Sequence, residues 1–322
     1  MVEGLGFGDL AAEALRRQTD LDRIDGLLNW GPVNYRLEKL CRKPEGRPPF
    51  PPLLMFKALL LAQWYGLSDR GLEEALCDRL SFRRFVGLKL EEATPDHTTL
   101  CRFRERLIES ALERKLLDLV NAQLEERGFL LRRGTLIDAT VVQAAARPSG
   151  DAQAPSDPDA AFLRQQGKPG KIFGYKAHVA ADEGSLLVRQ ARMTPANVNE
   201  TTVADELILA CKDAPAVYAD KAYDSHARRA LLTELGIANR IMRRGNKHHP
   251  PSADDLAHNH AVKRVRARVE TIFAVLKRIY GFRRTRYIGL VRNQLQLTLL
   301  AICFNLRRAL VMAANARSPS PA

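Results

Sequence analysis

Three carboxylates stand where a carboxylate is either costly or conspicuous. Asp138 lies inside the apolar run TLIDATVV, Asp220 ends the apolar run AVYAD, and Glu270 is the single acid among nine Lys and Arg between Lys263 and Arg286. An ionised carboxylate in an apolar strand must face solvent, a basic partner or a metal. The carboxyl ends of strands line the ligand crevice of an α/β sheet, so Asp220 sits where chemistry is done, although a strand-end aspartate also serves merely to open a turn. On one continuous helix, Arg266, Glu270 and Lys277 share a face at spacings of four and seven. That pattern also suits a plain Arg266–Glu270 ion pair.

Taken together, the acids and their basic surroundings point to divalent-metal chemistry on phosphate esters. Mg²⁺ takes oxygen ligands and keeps several waters, so a few carboxylates and substrate phosphate oxygens complete its shell. Two such ions activate an attacking oxygen and stabilise the leaving one in phosphodiester displacement, with no histidine base required. Mn²⁺ is able to substitute, since it favours the same donors. The cations expected to grip DNA phosphates are Lys263, Arg264, Arg266, Arg268, Lys277, Arg278, Arg283, Arg284 and Arg286, joined by Lys176 in GYKAHVAAD.

The elements that must position these residues are legible in outline. Residues 9–130 read as helical: LLMFKALLLAQWYGL is a buried helix, a second stretch starts from a Ser68 cap, and a third starts at Asp96 or Thr98 and stops at Gly128. GLSDRGLEEAL with DHTTLCRFRERL suits a helix-turn-helix reader of DNA, and equally any helical bundle. From Gly134 the pattern changes. GTLIDATVV, GYKAHVAAD, SLLVRQARMT, AVYAD and IANRIMRR read as five strands. Helices are expected over NETTVADELILACK, over SHARRALLTELG between Ser225 and Gly236, over about 260–280, and over about 291–313. This order describes an α/β fold, a mixed five-stranded sheet with flanking helices, preceded by an all-α N-terminal domain. The expected organisation is a helical domain over 1–130, a sheet domain over 131–313 with a flexible insert at about 143–172, and a disordered tail over 314–322.

Composition narrows the partner. Of 322 residues, 50 are Lys or Arg and 37 are Asp or Glu, a formal charge of +13. Such an excess favours nucleic acid or an anionic membrane surface, with a solvated basic surface as the bland alternative. The five cysteines form no CxxC pair and read as buried thiols of a reducing cytoplasm. MVEGLGFGDL lacks the basic start and apolar core of a signal peptide. The longest apolar runs, LLMFKALLLAQWYGL and LQLTLLAICFNL, read as interrupted or too short to span a bilayer. A cytoplasmic protein with no membrane partner is expected.

Three ordered blocks carry a resemblance to a known family, the DDE transposases of bacterial insertion sequences. LIDATVV is similar to their first catalytic aspartate block. YADKAYDS matches the second, D-x-(G/A)-(Y/F), at Asp220, Ala222 and Tyr223. KRVRARVETIFAVLK matches Y-x2-R-x3-E-x6-K at Arg266, Glu270 and Lys277, with Lys263 standing where the family has its tyrosine. The likeness is strongest to the insertion-sequence-five group of the insertion-sequence-four-like superfamily, and it extends over roughly 40–310. It implies an RNase H-like core in which Asp138, Asp220 and Glu270 hold two Mg²⁺, and an N-terminal region for DNA binding and dimerisation. It implies double-stranded terminal inverted repeats and target DNA as partners, and a homodimer or larger synaptic assembly. The activity implied is endonucleolytic cleavage at the element's ends followed by attack of the freed 3′-OH on target DNA, in a bacterial cytoplasm and on the nucleoid when bound. A relative without catalysis would be a DNA-binding regulator, and one without strand transfer an RNase H-like nuclease. A decayed regulator should have lost one of the three acids, and all three are present.

Other residues read less sharply. His248, His249, His258 and His260 invite a zinc site, but no cysteine is near and a basic loop over DNA suits them better. His178 is either a neighbour of the Asp138 site or a satisfied strand histidine. Asp224 rivals Asp220, yet its place beside the Ser225 cap is explained by the helix macrodipole. Trp64 and Tyr65 read as core or dimer contacts, Asp157 and Asp159 as solvated turn residues, and Tyr223 as packing.

Overall fold

The computed structural model describes residues 18–40, 49–146, 156–164, 170–245 and 250–317. The chain divides into two compact units, one of Met1–Leu112 with Leu306–Ala322 and one of Glu113–Asn305. His248, His249, Cys41 and much of the expected insert lie outside the described residues.

The first unit is built from α1 (Asp20–Asp25), α2 (Gly31–Glu38), α3 (Pro52–Trp64), α4 (Asp69–Asp78), α5 (Leu80–Val86) and α6 (His97–Glu109). Helix α3 is apolar all round, and it is buried almost throughout, as such a helix must be. Its one lysine, Lys57, is buried too; Nζ bonds Asp25 Oδ1 at 2.6 Å and lies 4.6 Å above the Trp30 ring. Ser68 and Asp96 cap α4 and α6 by accepting the Gly71 and Thr99 N–H groups. The helical stretches that read as continuous are cut, at Arg79 between α4 and α5 and at Ala111, whose φ of 49° ends the run after α6. Trp64 is buried edge-on to Phe85, whereas Tyr65 is part-exposed against Phe82. Cys77 and Cys101 are exposed rather than buried.

The second unit opens with α7 (Glu113–Glu126) and holds one mixed sheet of β1 (Thr135–Gln143), β2 (Ala161–Leu163), β3 (Ile172–Asp182), β4 (Val188–Pro195), β5 (Ala216–Ala219) and β6 (Ala238–Ile241). The pattern predicts five strands; the sixth, β2, is three residues long and too short for alternation to reveal. β3 pairs antiparallel with β1 on one edge and with β4 and β2 on the other. β5 adds to β1 in parallel, and β6 to β5. This is an RNase H-like α/β core. Gly174 is needed where β3 crosses β1, because a Cβ there would collide with the Val142 carbonyl.

Around the sheet lie α8 (Thr201–Ala210), α9 (His226–Glu234), α10 (Ala253–Arg266), α11 (Val269–Arg278) and the first part of α12 (Leu290–Arg317), whose residues from Leu306 on belong to the first unit. Ile137, Val217 and Ala219 from the strands, Val203, Leu207 and Ile208 from α8, and Leu232 from α9 share one core. β4 is an edge strand, and side-chain amides cover its free edge. Gln294 Oε1 accepts from Met193 N at 2.7 Å, Asn305 Oδ1 accepts from Val188 N at 2.7 Å, and Asn121 and Asn305 both donate to the Val188 carbonyl.

Further expectations need correction. The long helix over about 260–280 is two, α10 and α11, broken at Ala267–Arg268, from where the N–H groups of Arg268, Glu270 and Thr271 reach back three residues instead of four. The final helix runs on to Arg317, four residues past Ala313, since Ala314 and Ala316 favour helix and the first obstacle is the Ser318-Pro319 pair. Its Leu290–Ala316 portion is long and apolar enough to cross a membrane by length and composition, though most of it is buried inside the protein. Asp157 is not a solvated turn residue, whereas Asp159 is exposed in a turn as expected. Asp157 is fully buried and takes the Tyr175 hydroxyl on both oxygens, at 2.7 and 2.8 Å, while Asp159 accepts the Leu290 N–H at 2.7 Å.

A buried carboxylate deprived of a donor keeps its desolvation cost. Tyr175→Phe should therefore lower the stability of the protein by about 1–3 kcal/mol, read as a drop in the urea midpoint at unchanged slope. An unaltered midpoint would show that Asp157 does not depend on this bond.

Candidate active site

The register Thr135↔Val217 and Leu136↔Tyr218 between parallel β1 and β5 fixes the site. Continued by two residues, it sets Asp138 level with Asp220 and on the same face of the sheet, because register partners in parallel strands share a face. Thr140 follows Asp138 on that face. Ile137 and Ala139 point to the other, with His178 and Lys176 of β3.

Asp138 is mostly buried. Its Oδ1 accepts the Ala139 N–H at 2.9 Å and its Oδ2 accepts from Arg266 Nη1 at 2.8 Å. Burial pushes the Asp138 carboxyl up to about 6 from the ordinary 3.8, against the pull of Arg266 and the Ala139 N–H, and the carboxylates of Glu200 and Asp220 push it further. Asp220 begins the short turn Lys221–Tyr223, accepting the Lys221 N–H on Oδ1 at 2.5 Å. Glu270, in the first turn of α11, is exposed and its carboxylate has no hydrogen bond or ion pair among the described residues. The Arg266–Glu270 ion pair is therefore not formed, and Arg266 reaches instead across 128 residues of sequence to Asp138.

The structure thus brings Asp138 and Asp220 to one level and does not gather Glu270 with them: among the described residues no three His, Cys, Asp or Glu are close enough to hold a metal ion. It places Glu200 near them instead, a residue that sequence reasoning misses because an acid at a helix start is commonplace. Glu200 precedes α8 and lies 3.4 Å from Lys176 Nζ, which also donates to Val198 O at 2.9 Å. Tyr223 is buried beside the same three carboxylates. Burial raises its phenol first, and Glu200, Asp138 and Asp220 add to the rise. Its Oη has no partner among the described residues, and neither has the buried Nε of Arg266. A buried Arg228 staples the surroundings by donating to the Thr201 and Tyr223 carbonyls and, at 2.7 Å, to Asp205 Oδ1.

The remaining candidates separate by exposure. Lys263, Arg264, Arg278, Arg283 and Arg284 are exposed and make no ion pair among the described residues. Arg268 is held by Glu183 Oε1 at 2.7 Å and the Gly184 carbonyl. Lys277 Nζ donates to Thr140 Oγ1 at 2.5 Å and Val141 O at 3.0 Å, joining α11 to β1 just beyond Asp138. The Arg283–Thr285 segment is stitched to the end of β1 through the Gln143 backbone, and Arg286 is half-buried. Lys176 is buried and engaged, as described, not an open cation. His178 is buried on the opposite face with Nε2 2.9 Å from Thr194 Oγ1; desolvation pulls it down to about 4, so it is neutral at physiological pH. Asp224 is consumed by two bonds to Arg229, at 2.8 and 2.6 Å. His258 bonds the Ile241 carbonyl and takes part in no metal cluster among the described residues.

These residues fit an oxygen-seeking divalent cation. The donors are carboxylates, two of them level on adjacent strands, and Arg266, bonded to Asp138 through Nη1, keeps an unsatisfied Nε. The family model described as Transposase DDE domain matches residues 130–306, and the one described as Transposase domain (DUF772) matches residues 10–106. The chain belongs to the DDE transposases. Solved structures similar to it include the piggyBac transposase synaptic complex with hairpin DNA, 13% identical over 94% of this chain and 75% of that one, with a TM-score of 0.48. The Mos1 strand transfer complex is 13% identical over 71% and 79%, with a TM-score of 0.21, and the Mos1 mariner paired-end complex with Mn is 12% identical over 84% and 92%, with 0.22.

Because the folded pKa of Asp138 lies near 6 and the unfolded one near 3.8, the folded chain holds this proton where the unfolded chain has lost it. The stability it contributes is complete below 3.8 and is lost as pH rises through about 6. Arg266→Met removes the cation that lowers this carboxyl, so the carbon-13 NMR titration midpoint of Asp138 in metal-free protein should move above about 6. A midpoint that stays or falls would mean that Arg266 does not govern it.

Proposed function

We propose that this chain is the transposase of a bacterial insertion sequence, of the insertion-sequence-five group, and that it binds the element's terminal inverted repeats, cuts at their ends and joins the freed 3′-OH to target DNA. The observation that carries this reading is the level pair Asp138 and Asp220, with the partly unsatisfied guanidinium of Arg266 on Asp138 and the unpaired side chain of Glu270 four residues after that arginine. Asp138, Asp220 and Glu270 would hold Mg²⁺ or Mn²⁺, as two ions. When bound, such ions supply Lewis-acid stabilisation and lower the pKa of bound water.

The chain's own residues do the rest. Arg266 stands at Asp138 Oδ2 with an unsatisfied Nε, so it is placed to take a phosphate oxygen in the same fork that now holds the carboxylate. Lys277 tethers α11 to β1 and so sets the height of Glu270, seven residues earlier, against Asp138. The exposed Lys263, Arg264, Arg278, Arg283 and Arg284 grip backbone phosphates and set register without reading bases. The helical N-terminal region serves DNA binding and dimerisation, and two ends are joined in a homodimer or larger synaptic assembly. The complete set of acids speaks against a regulator that has lost catalysis.

Asp220→Asn should keep end-DNA binding and lose Mg²⁺-dependent cleavage by more than the ~100-fold that loss of a ligand's supporting partner costs, and Glu270→Gln should behave alike. Full cleavage by Asp220→Asn would sink the assignment. Supplying pre-cut ends and a plasmid target then separates the readings, since a transposase joins them and a plain nuclease does not.

A further inference from the structure

A second polar cleft opens beside the acids. It encloses about 340 Å³ and is lined by Asp224, Arg229, Arg243, Arg244, Asp255 and His258, among others, with Ile241 its one apolar side chain. Ile241 is the last residue of β6, and Asp224 lies four residues past Asp220. The cleft therefore sits at the same, carboxyl end of the parallel β5–β6 pair as Asp220.

Its charges do not cancel. Arg229 is held by Asp224 through two parallel bonds, and Arg243 by Asp255 at 2.7 Å. His258 is engaged with the Ile241 carbonyl at 3.0 Å. Arg244 differs: its backbone N–H donates to Asp224 Oδ2 at 3.2 Å, while its guanidinium has no hydrogen bond or ion pair among the described residues. Three arginines against two aspartates leave one positive charge in a cleft with almost no apolar wall. A cation is disfavoured there because both carboxylates already hold arginines, and an apolar ligand has nothing to bury against. The complement is a single negative charge with planar-fork acceptors, which is the chemistry of a phosphodiester.

We infer that this cleft is a DNA-phosphate subsite in which Arg244 takes one backbone phosphate of the strand flanking the one presented to Asp138 and Asp220. The inference rests on the DNA-cutting reading of those acids. Asp224 and Asp255 act in it as positioning residues, holding Arg229 and Arg243 so that the walls stay in place around Arg244.

The test is the salt dependence of binding to a duplex ending in the inverted repeat that flanks the coding sequence. Each neutralised phosphate contributes about 0.9 to the slope of log K against log salt. Arg244→Gln should lower that slope by about 0.9 and weaken binding about tenfold at moderate salt, the loss of one charged hydrogen-bonding contact. Arg244→Lys should restore the slope. Lys212→Gln, an exposed cation just after α8 at the opposite end of β5, should leave it unchanged. If Arg244→Gln and Lys212→Gln have equal effects, the subsite is overturned. Inorganic phosphate titrated alone should give no Arg244-dependent rise in melting temperature; a saturable rise would assign the cleft to a free anion and overturn the proposal. Cleavage is assayed on the same samples. Cleavage with an Arg244-independent slope removes only the subsite, whereas an inert wild type that also fails to bind the duplex removes the DNA-cutting reading along with it.

Discussion

The parallel pairing of β1 with β5 is the constraint on which the site depends. Two register pairs suffice to set Asp138 and Asp220 at one height on one face. A slip of one residue would turn Asp220 toward the α8 side, because strand side chains alternate strictly. Nothing in the acids themselves resists such a slip, since two neighbouring carboxylates repel. The resistance comes from the other face. Ile137, Val217 and Ala219 are buried there against α8 and α9, and a slipped β5 would expose Val217 and Ala219 while burying Tyr218 and Asp220. Gly134 adds to the constraint from below, where a side chain would press on the Tyr218 ring. Apolar packing on one side of the sheet thus holds polar chemistry on the other.

That arrangement leaves the site electrostatically unfinished, in contrast to several ion pairs nearby in its unit. Elsewhere acids of this unit are paired: Asp205 with Arg228, Asp224 with Arg229, Asp255 with Arg243 and Glu183 with Arg268. At the site, one guanidinium faces Asp138 while Glu200 and Asp220 crowd the same region, and a phenol and a guanidinium nitrogen remain unsatisfied. Glu270 stands free among cations that could have paired with it. Local departures from full satisfaction are tolerated where function requires them, and the tightly packed remainder of the fold offsets their cost. A phosphate and its counter-cations would complete what the protein leaves open.

Much of this was legible in the sequence, for physical reasons that can be named. Asp138 and Asp220 stood out because an acid in or at the end of an apolar strand violates the alternation around it, and Ser68, Asp96 and Ser225 were readable because caps have a narrow chemistry. The break at Ala267–Arg268 was not readable, since neither residue disfavours helix and the bend is set by tertiary contacts. It matters because the shared face of Arg266, Glu270 and Lys277 assumed a continuous helix, and the three now have different surroundings. Glu200 escaped notice because nothing local distinguishes it from an ordinary acid at a helix start. Asp157 looked solvated because a Pro-rich segment carries no periodicity, and it is the Tyr175 hydroxyl of β3 and the Gly289 N–H, both distant in sequence, that reveal it as a buried anchor.

A net charge of +13 suits a binder of polyanions, yet the charge sum does not say which cations are available. Burial divides them. Arg228 is closed around backbone carbonyls and Asp205, and Lys176 is closed around Val198 and Glu200, so removing either would disturb the frame of the site before it disturbed any DNA. Lys263, Arg264, Arg278, Arg283 and Arg284 have solvent around them and no competing acid, so their charge is free to displace counterions from a phosphate backbone. Arg266 belongs to both groups, closed on Asp138 through Nη1 and unsatisfied at Nε. On the proposed reading, a residue held in that divided state would couple the binding of a polyanion to the electrostatics of Asp138, because a phosphate that drew the guanidinium away would also remove the cation that lowers the Asp138 pKa.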